Sequence, residues 1–138
     1  MIKATELRLG NLIEYHVFDL VDGTDTWFEN YVDIDDMRWI SANPNDGLYR
    51  PKALTEELLV RMGFTPDSHK ICFDHPLPKE PENEHKDLGK TFPTIFFNKR
   101  LERWMDCHTR VCVDNAHELQ NLYHALTGEE LTIKEVNP

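Results

Sequence analysis

Apolar residues along this chain come in short blocks with two different periods. Leu12-Ile13-Glu14-Tyr15-His16-Val17-Phe18 is dense in β-branched and aromatic side chains and predicts a strand, after a turn at Gly10-Asn11. Asp22-Gly23-Thr24-Asp25 reads as a turn. Trp27 to Ile34 and Met37 to Ile40 read as two further strands, and Ser41 to Gly47 as a loop. Leu54-Thr55-Glu56-Glu57-Leu58-Leu59-Val60-Arg61-Met62-Gly63-Phe64 predicts a short helix with both ends marked. Thr55 is placed to cap the first turn, where Glu56 and Glu57 also suit the positive end of the helix dipole. Leu54 is placed to staple onto Leu59. Gly63 supplies a left-handed stop, with Phe64 folding back on Leu59.

Ile71 to Asp74 reads as a strand. Residues 76–93 hold four prolines (Pro76, Pro78, Pro81, Pro93) amid mixed charges, which predicts an exposed loop. Thr94 to Asn98, Leu101 to Met105 and Thr109 to Val113 predict three more strands, and Asn115 to Thr127 a final helix. The order is roughly βββ-α-βββ-α. Helices do not alternate with strands, so the expected class is α+β with antiparallel sheet, in a single domain over 1–138. Short twisted strands after the Gly-Asn turn would also suit a small SH3-like barrel over residues 1–50.

On the last helix Ala116, Leu119, Leu122, Tyr123 and Leu126 share one stripe, which predicts the buried face. His117, Glu118, Gln120, Asn121 and His124 fall outside it. Asn115 with Glu118 forms a variant capping box, and Gly128 ends the helix. His117 to Asn121 spells HELQN, one letter from the zinc signature HExxH. An amide is a weak zinc donor, and His124 lies about 10 Å further along the axis than His117. The segment therefore predicts an amphipathic helix rather than a metal site.

Apolar residues make up 40% of the 138, enough for a core, and no apolar run reaches the eighteen residues of a membrane helix. The first residues lack a signal-peptide pattern, so a cytoplasmic setting is expected. Three cysteines are an odd number and suggest reduced thiols. A structural zinc site could be drawn from Cys72, His75, Cys107 and Cys112, although no C-x-x-C is present. Phosphate loops, dinucleotide fingerprints, calcium loops and nucleophile elbows are all missing, so neither an enzyme nor a cofactor is expected.

The net charge is −10. Between Glu14 and Asp46 nine acidic residues face one base, Arg38. That excess argues against nucleic-acid binding, which needs cations against phosphate. Lys99, Arg100, Arg103 and Arg110 beside Phe96, Phe97 and Trp104 form the one basic patch, most simply the wet face of a strand.

LRLGNLIEY, LTEELLVRMGF and HELQNLYHALTGEEL together resemble a family of small uncharacterised proteins of Bacteroides-group bacteria and their phages. The resemblance covers the two ends and the middle helix. It implies a mobile-element setting and carries over no catalytic or binding residue. The expectation is a non-enzymatic accessory protein that works by protein–protein contact, with self-association open. Two surfaces are candidates: His117, Gln120, Asn121 and His124 on the last helix, and Asp33, Asp35 and Asp36. An acidic mimic of nucleic acid and a small zinc protein are the alternatives.

Overall fold

The computed structural model describes residues 2–44, 46–67, 72–75 and 93–134. The class is α+β with two antiparallel sheets. The chain forms two compact units, one of residues 1–53 and 115–121, the other of 54–114 and 122–138.

In the first unit a 3-10 turn, Ala4–Glu6, leads to strand β1 (Leu12–Phe18), strand β2 (Asp25–Tyr31), helix α1 (Ile34–Ala42) and strand β3 (Tyr49–Pro51). The sheet runs β2-β1-β3, with Tyr15 opposite both Phe28 and Tyr49. Ile2, Leu7, Ile13, Val32 and Ile40 form its core, with Met37 and Tyr49 packed against them. An open three-stranded sheet with an inserted helix is formed, rather than the small barrel that residues 1–50 would also have suited.

Met37 to Ile40 is helical, not a strand. Asp33 decides this. Its carboxylate accepts from the N–H of Asp36, and the Asp36 side chain accepts from the N–H of Asp33. The reciprocal box satisfies backbone donors that a helix start leaves bare, so the following apolar residues adopt the helical period.

The second unit holds helix α2 (Glu56–Arg61) and strands β4 (Thr65–Pro66), β5 (Cys72–Asp74), β6 (Thr94–Asn98) and β7 (Arg103–Asp106), in sheet order β4-β5-β6-β7. Thr55 caps α2 by accepting from the N–H of Leu58. Gly63, at φ +89°, donates to Val60, and Phe64 donates to Leu59, the paired bonds of a left-handed helix stop. Phe64, Leu58, Leu59 and Met62 are buried.

Thr109 to Val113 is not a strand. Asp106, wholly buried, accepts from the N–H of Thr94 and from both the N–H and the hydroxyl of Thr109. Those bonds fold residues 106–109 into a turn, and Arg110 follows at φ +61°. Only an isolated bridge, Met105 to Cys112, continues the ladder. The expected loop at 76–93 lies outside the described residues apart from Pro93, which is buried.

Helix α3 (Ala116–Thr127) contributes residues 116–121 to the first unit and 122–127 to the second. Gly128 follows it at φ +74°. No helix of the described residues is long and apolar enough to cross a membrane.

Candidate functional site

The polar side of α3 is not a free surface. His117 is 1% exposed and Gln120 3%. Leu119 and Tyr123 are buried as expected, but Leu122 and Leu126 are only half-buried. The helical period assigned amides to solvent because it cannot see which backbone groups need them. Here they are needed by the lead-in to β1. Gln120 Oε1 accepts from the N–H of Leu12 at 2.6 Å, and its Nε2 donates to the carbonyl of Gly10 at 3.2 Å. Asn121 Oδ1 accepts from Asn11 at 3.0 Å and from Arg8 at 3.3 Å, and its Nδ2 donates to the carbonyl of Glu6 at 2.9 Å. Asn11, itself buried, accepts from the N–H of Arg8. LRLGN and HELQN are therefore two halves of one clamp. His117 Nε2 lies 3.5 Å from the Glu6 carboxylate. His124 is half-exposed and faces Glu130 at 3.7 Å. Glu118 accepts from the Asn115 side chain at 2.7 Å, which leaves it at the helix start.

The Asp33, Asp35 and Asp36 group also has structural work. Asp33 and Asp36 make the capping box, and Asp36 further accepts from the Tyr49 hydroxyl at 2.7 Å and from Asn30 at 3.0 Å. Burial pushes the Asp36 carboxyl up, but the bonds from Asp33, Tyr49 and Asn30 outweigh it and hold the carboxyl below its ordinary range. Tyr49 moves the opposite way: burial first, then the bonded Asp36 carboxylate, push its hydroxyl well above its ordinary value. Asp33 and Asp35 are exposed, and Asp35, which takes no part in the box, lies 3.9 Å from Arg38. The three do not present a row of unengaged charge.

Among the described residues no three His, Cys, Asp or Glu side chains group as a metal site needs. Burial, followed by the neighbouring Asp67, Cys107 and Asp74, pushes the Cys72 thiol up, which disfavours the thiolate that a metal or a nucleophilic reaction requires. Cys107 is exposed and Cys112 half-buried. His75 packs against the rings of Phe64 and Tyr123, with centroids 5.2 and 4.9 Å away. On β6 and β7, Phe97 packs edge-on to Trp104, and Arg103 is held by Asp114 at 2.6 Å. Lys99, Arg100 and Arg110 are exposed.

What remains conspicuous is the β1–β2 hairpin. Its two faces differ. One carries charged groups in contact: Glu14 meets Arg50 at 2.9 Å and Lys52 at 3.5 Å, Lys52 meets Glu29 at 3.5 Å, and His16 meets Asp25 at 2.8 Å. The Arg50 guanidinium also sits 3.9 Å over the Trp27 ring. The other face carries Tyr15, Val17 and Phe28, all exposed, with the Tyr15 and Phe28 rings 5.7 Å apart. At the tip Leu20 is 88% exposed and Val21 97%. The tip is nonetheless ordered. Asp19 donates its N–H to Thr24 and accepts at its side chain from the N–H of Val21, while Asp22 accepts from the N–H and hydroxyl of Thr24. Gly23, at φ +72°, closes the turn. Those two bonds from Thr24 hold the Asp22 carboxyl below its ordinary range.

No family model, no curated protein and no solved structure matches the chain. The two strands and the turn of the hairpin are legible in the sequence, but the exposure of its tip is not read from it. The available signal was the aliphatic pair Leu20-Val21 set inside a run of turn-forming Asp and Gly.

Proposed function

We propose that this chain is a non-enzymatic accessory protein, of phage or prophage type, that acts by binding another protein through the tip of its β1–β2 hairpin. The supporting observation is the exposure of Leu20 and Val21 on a turn held by side-chain bonds. Two aliphatic side chains in water are disfavoured, and an ordered turn loses little further freedom on docking. The tip carries Asp19, Asp22 and Asp25 and no Lys or Arg, so the surface that receives it presents an apolar pocket with a basic rim. The candidate surfaces named from sequence are not part of this reading, because Gln120, Asn121, Asp33 and Asp36 are engaged within their own unit. The phage setting follows from the resemblance carried by LRLGNLIEY and HELQNLYHALTGEEL, and the clamp gives LRLGN and HELQN a role in the fold.

Site-specific cross-linking tests the reading. A photoreactive residue at position 20, and a control at the exposed Glu57 of α2, are irradiated in extract of the cells that encode the protein. One discrete adduct from position 20 and none from position 57 is expected. Equal labelling from both positions, or none from position 20, counts against it.

A further inference from the structure

We infer that the β1–β2 tip docks on the turn between β6 and β7 of a second copy of this chain. The inference rests on the reading of the β1–β2 tip as a docking element and names a partner for it.

The two turns are opposite in charge. The one between β6 and β7 runs Lys99-Arg100-Leu101-Glu102. Lys99, Arg100 and Leu101 are exposed, as is Phe97 just before them. This turn is ordered as the other is, by a short polar side chain. Asn98 Oδ1 accepts from the N–H groups of Arg100 and Leu101, each at 3.1 Å. The Phe97 ring is held edge-on to Trp104, 5.2 Å away. Two cations and two apolar groups therefore stand on a fixed hairpin end, and little freedom remains to be lost on docking.

Charge selects the occupant. Each copy carries −10, so two copies repel wherever acid meets acid. They attract where one offers cations that its own acids do not already hold. Arg50 and Lys52 are held by Glu14, Arg103 by Asp114, and Arg38 lies near Asp35. Lys99 and Arg100 are the only two bases adjacent in the sequence, and among the described residues neither meets a carboxylate. The β1–β2 tip supplies the complement: Asp19, Asp22 and Asp25 around Leu20 and Val21. Leu20 and Val21 leave water against Leu101 and Phe97, and the carboxylates meet Lys99 and Arg100. The contact uses a different patch from each copy, so it is heterologous, and each chain can both give a tip and receive one.

The test uses the whole protein. Sedimentation from low to high micromolar concentration is expected to show mass rising past that of one chain. Two double variants each remove one half of the contact: Leu20→Asp with Val21→Asp, and Lys99→Glu with Arg100→Glu. All four positions are exposed, so both variants should melt as the parent does. Each alone is expected to associate at least about tenfold more weakly than the parent. Mixed in equal amounts they complement each other, because one keeps the giving tip and the other the receiving turn. The mixture is expected to stop at two chains. A parent that is monomeric at every concentration overturns the inference. So does association that survives in either variant, or a mixture that stays monomeric. The tip reading fails separately, if position 20 gives no adduct in extract. An adduct there with a different protein, beside a monomeric parent, keeps that reading and overturns only this inference.

Discussion

Gln120 Oε1 takes the backbone N–H of Leu12 at 2.6 Å, joining two residues 108 positions apart in the chain. Both are buried, so neither group can turn to water instead. The bond fixes the start of β1 against the first turns of α3.

Replacing Gln120 by Met keeps its length and removes both hydrogen bonds. The N–H of Leu12 and the carbonyl of Gly10 then lose their partner. The expected loss is about 1 to 3 kcal/mol, read as a lower denaturation midpoint. An unchanged midpoint would mean that the clamp is incidental.

Asp106 concentrates three donors on one buried carboxylate. Asp106→Ala leaves all three without an acceptor and is expected to cost about 3 kcal/mol or more. Asp106→Asn, which keeps an acceptor oxygen, should fall between the two. Chemical denaturation of the three proteins measures the order.

Gly63 sits at φ +89°, and a Cβ there would lie 3.2 Å from Nε2 of His75. Gly63→Ala is expected to cost about 1 to 2 kcal/mol, from the left-handed backbone alone. Gly23, also at positive φ, has nothing within 4 Å of such a Cβ. Gly23→Asn should therefore cost less than Gly63→Ala by calorimetry.

Asp36 predicts an acid dependence. Its folded carboxyl lies below the ordinary value near which the unfolded chain titrates, about 4. The unfolded state thus binds the proton more readily, and the contribution is present above that value. It is lost as pH falls through the folded value. Tyr49 gives the mirror case: raised in the fold, it contributes fully below its ordinary value of about 10, and the contribution is lost as pH climbs from there. Melting temperature against pH should decline at both ends. Asp36→Asn should flatten the acid limb and Tyr49→Phe the alkaline one.

The sequence exposed those elements whose ends are chemically marked. Thr55, Gly63 and Phe64 bracket α2, and Gly128 follows α3 at positive φ, because caps and stops depend on neighbours in the chain. β1 and β6 were legible from their β-branched and aromatic content. Helix α1 was not, because its capping box is built from two aspartates that look like an acidic linker. β3 was hidden by its length and by Pro51. The amides of α3 were misplaced for a different reason. Their partners are backbone groups more than a hundred residues away, and composition carries no trace of those. The exposure of the hairpin tip left a single trace in the sequence, the aliphatic pair Leu20-Val21 among turn-forming residues, because exposure is a property of the fold.

The reading of the tip is tested most directly by the pair Leu20→Asp and Val21→Asp. Both side chains are almost fully exposed, so the double variant should melt within about 0.5 kcal/mol of the parent. With the protein cross-linked through position 20 in hand, titration calorimetry against parent and variant decides the matter. The account predicts at least about tenfold weaker binding, a loss near 1.4 kcal/mol. Equal affinity with an intact fold would contradict it.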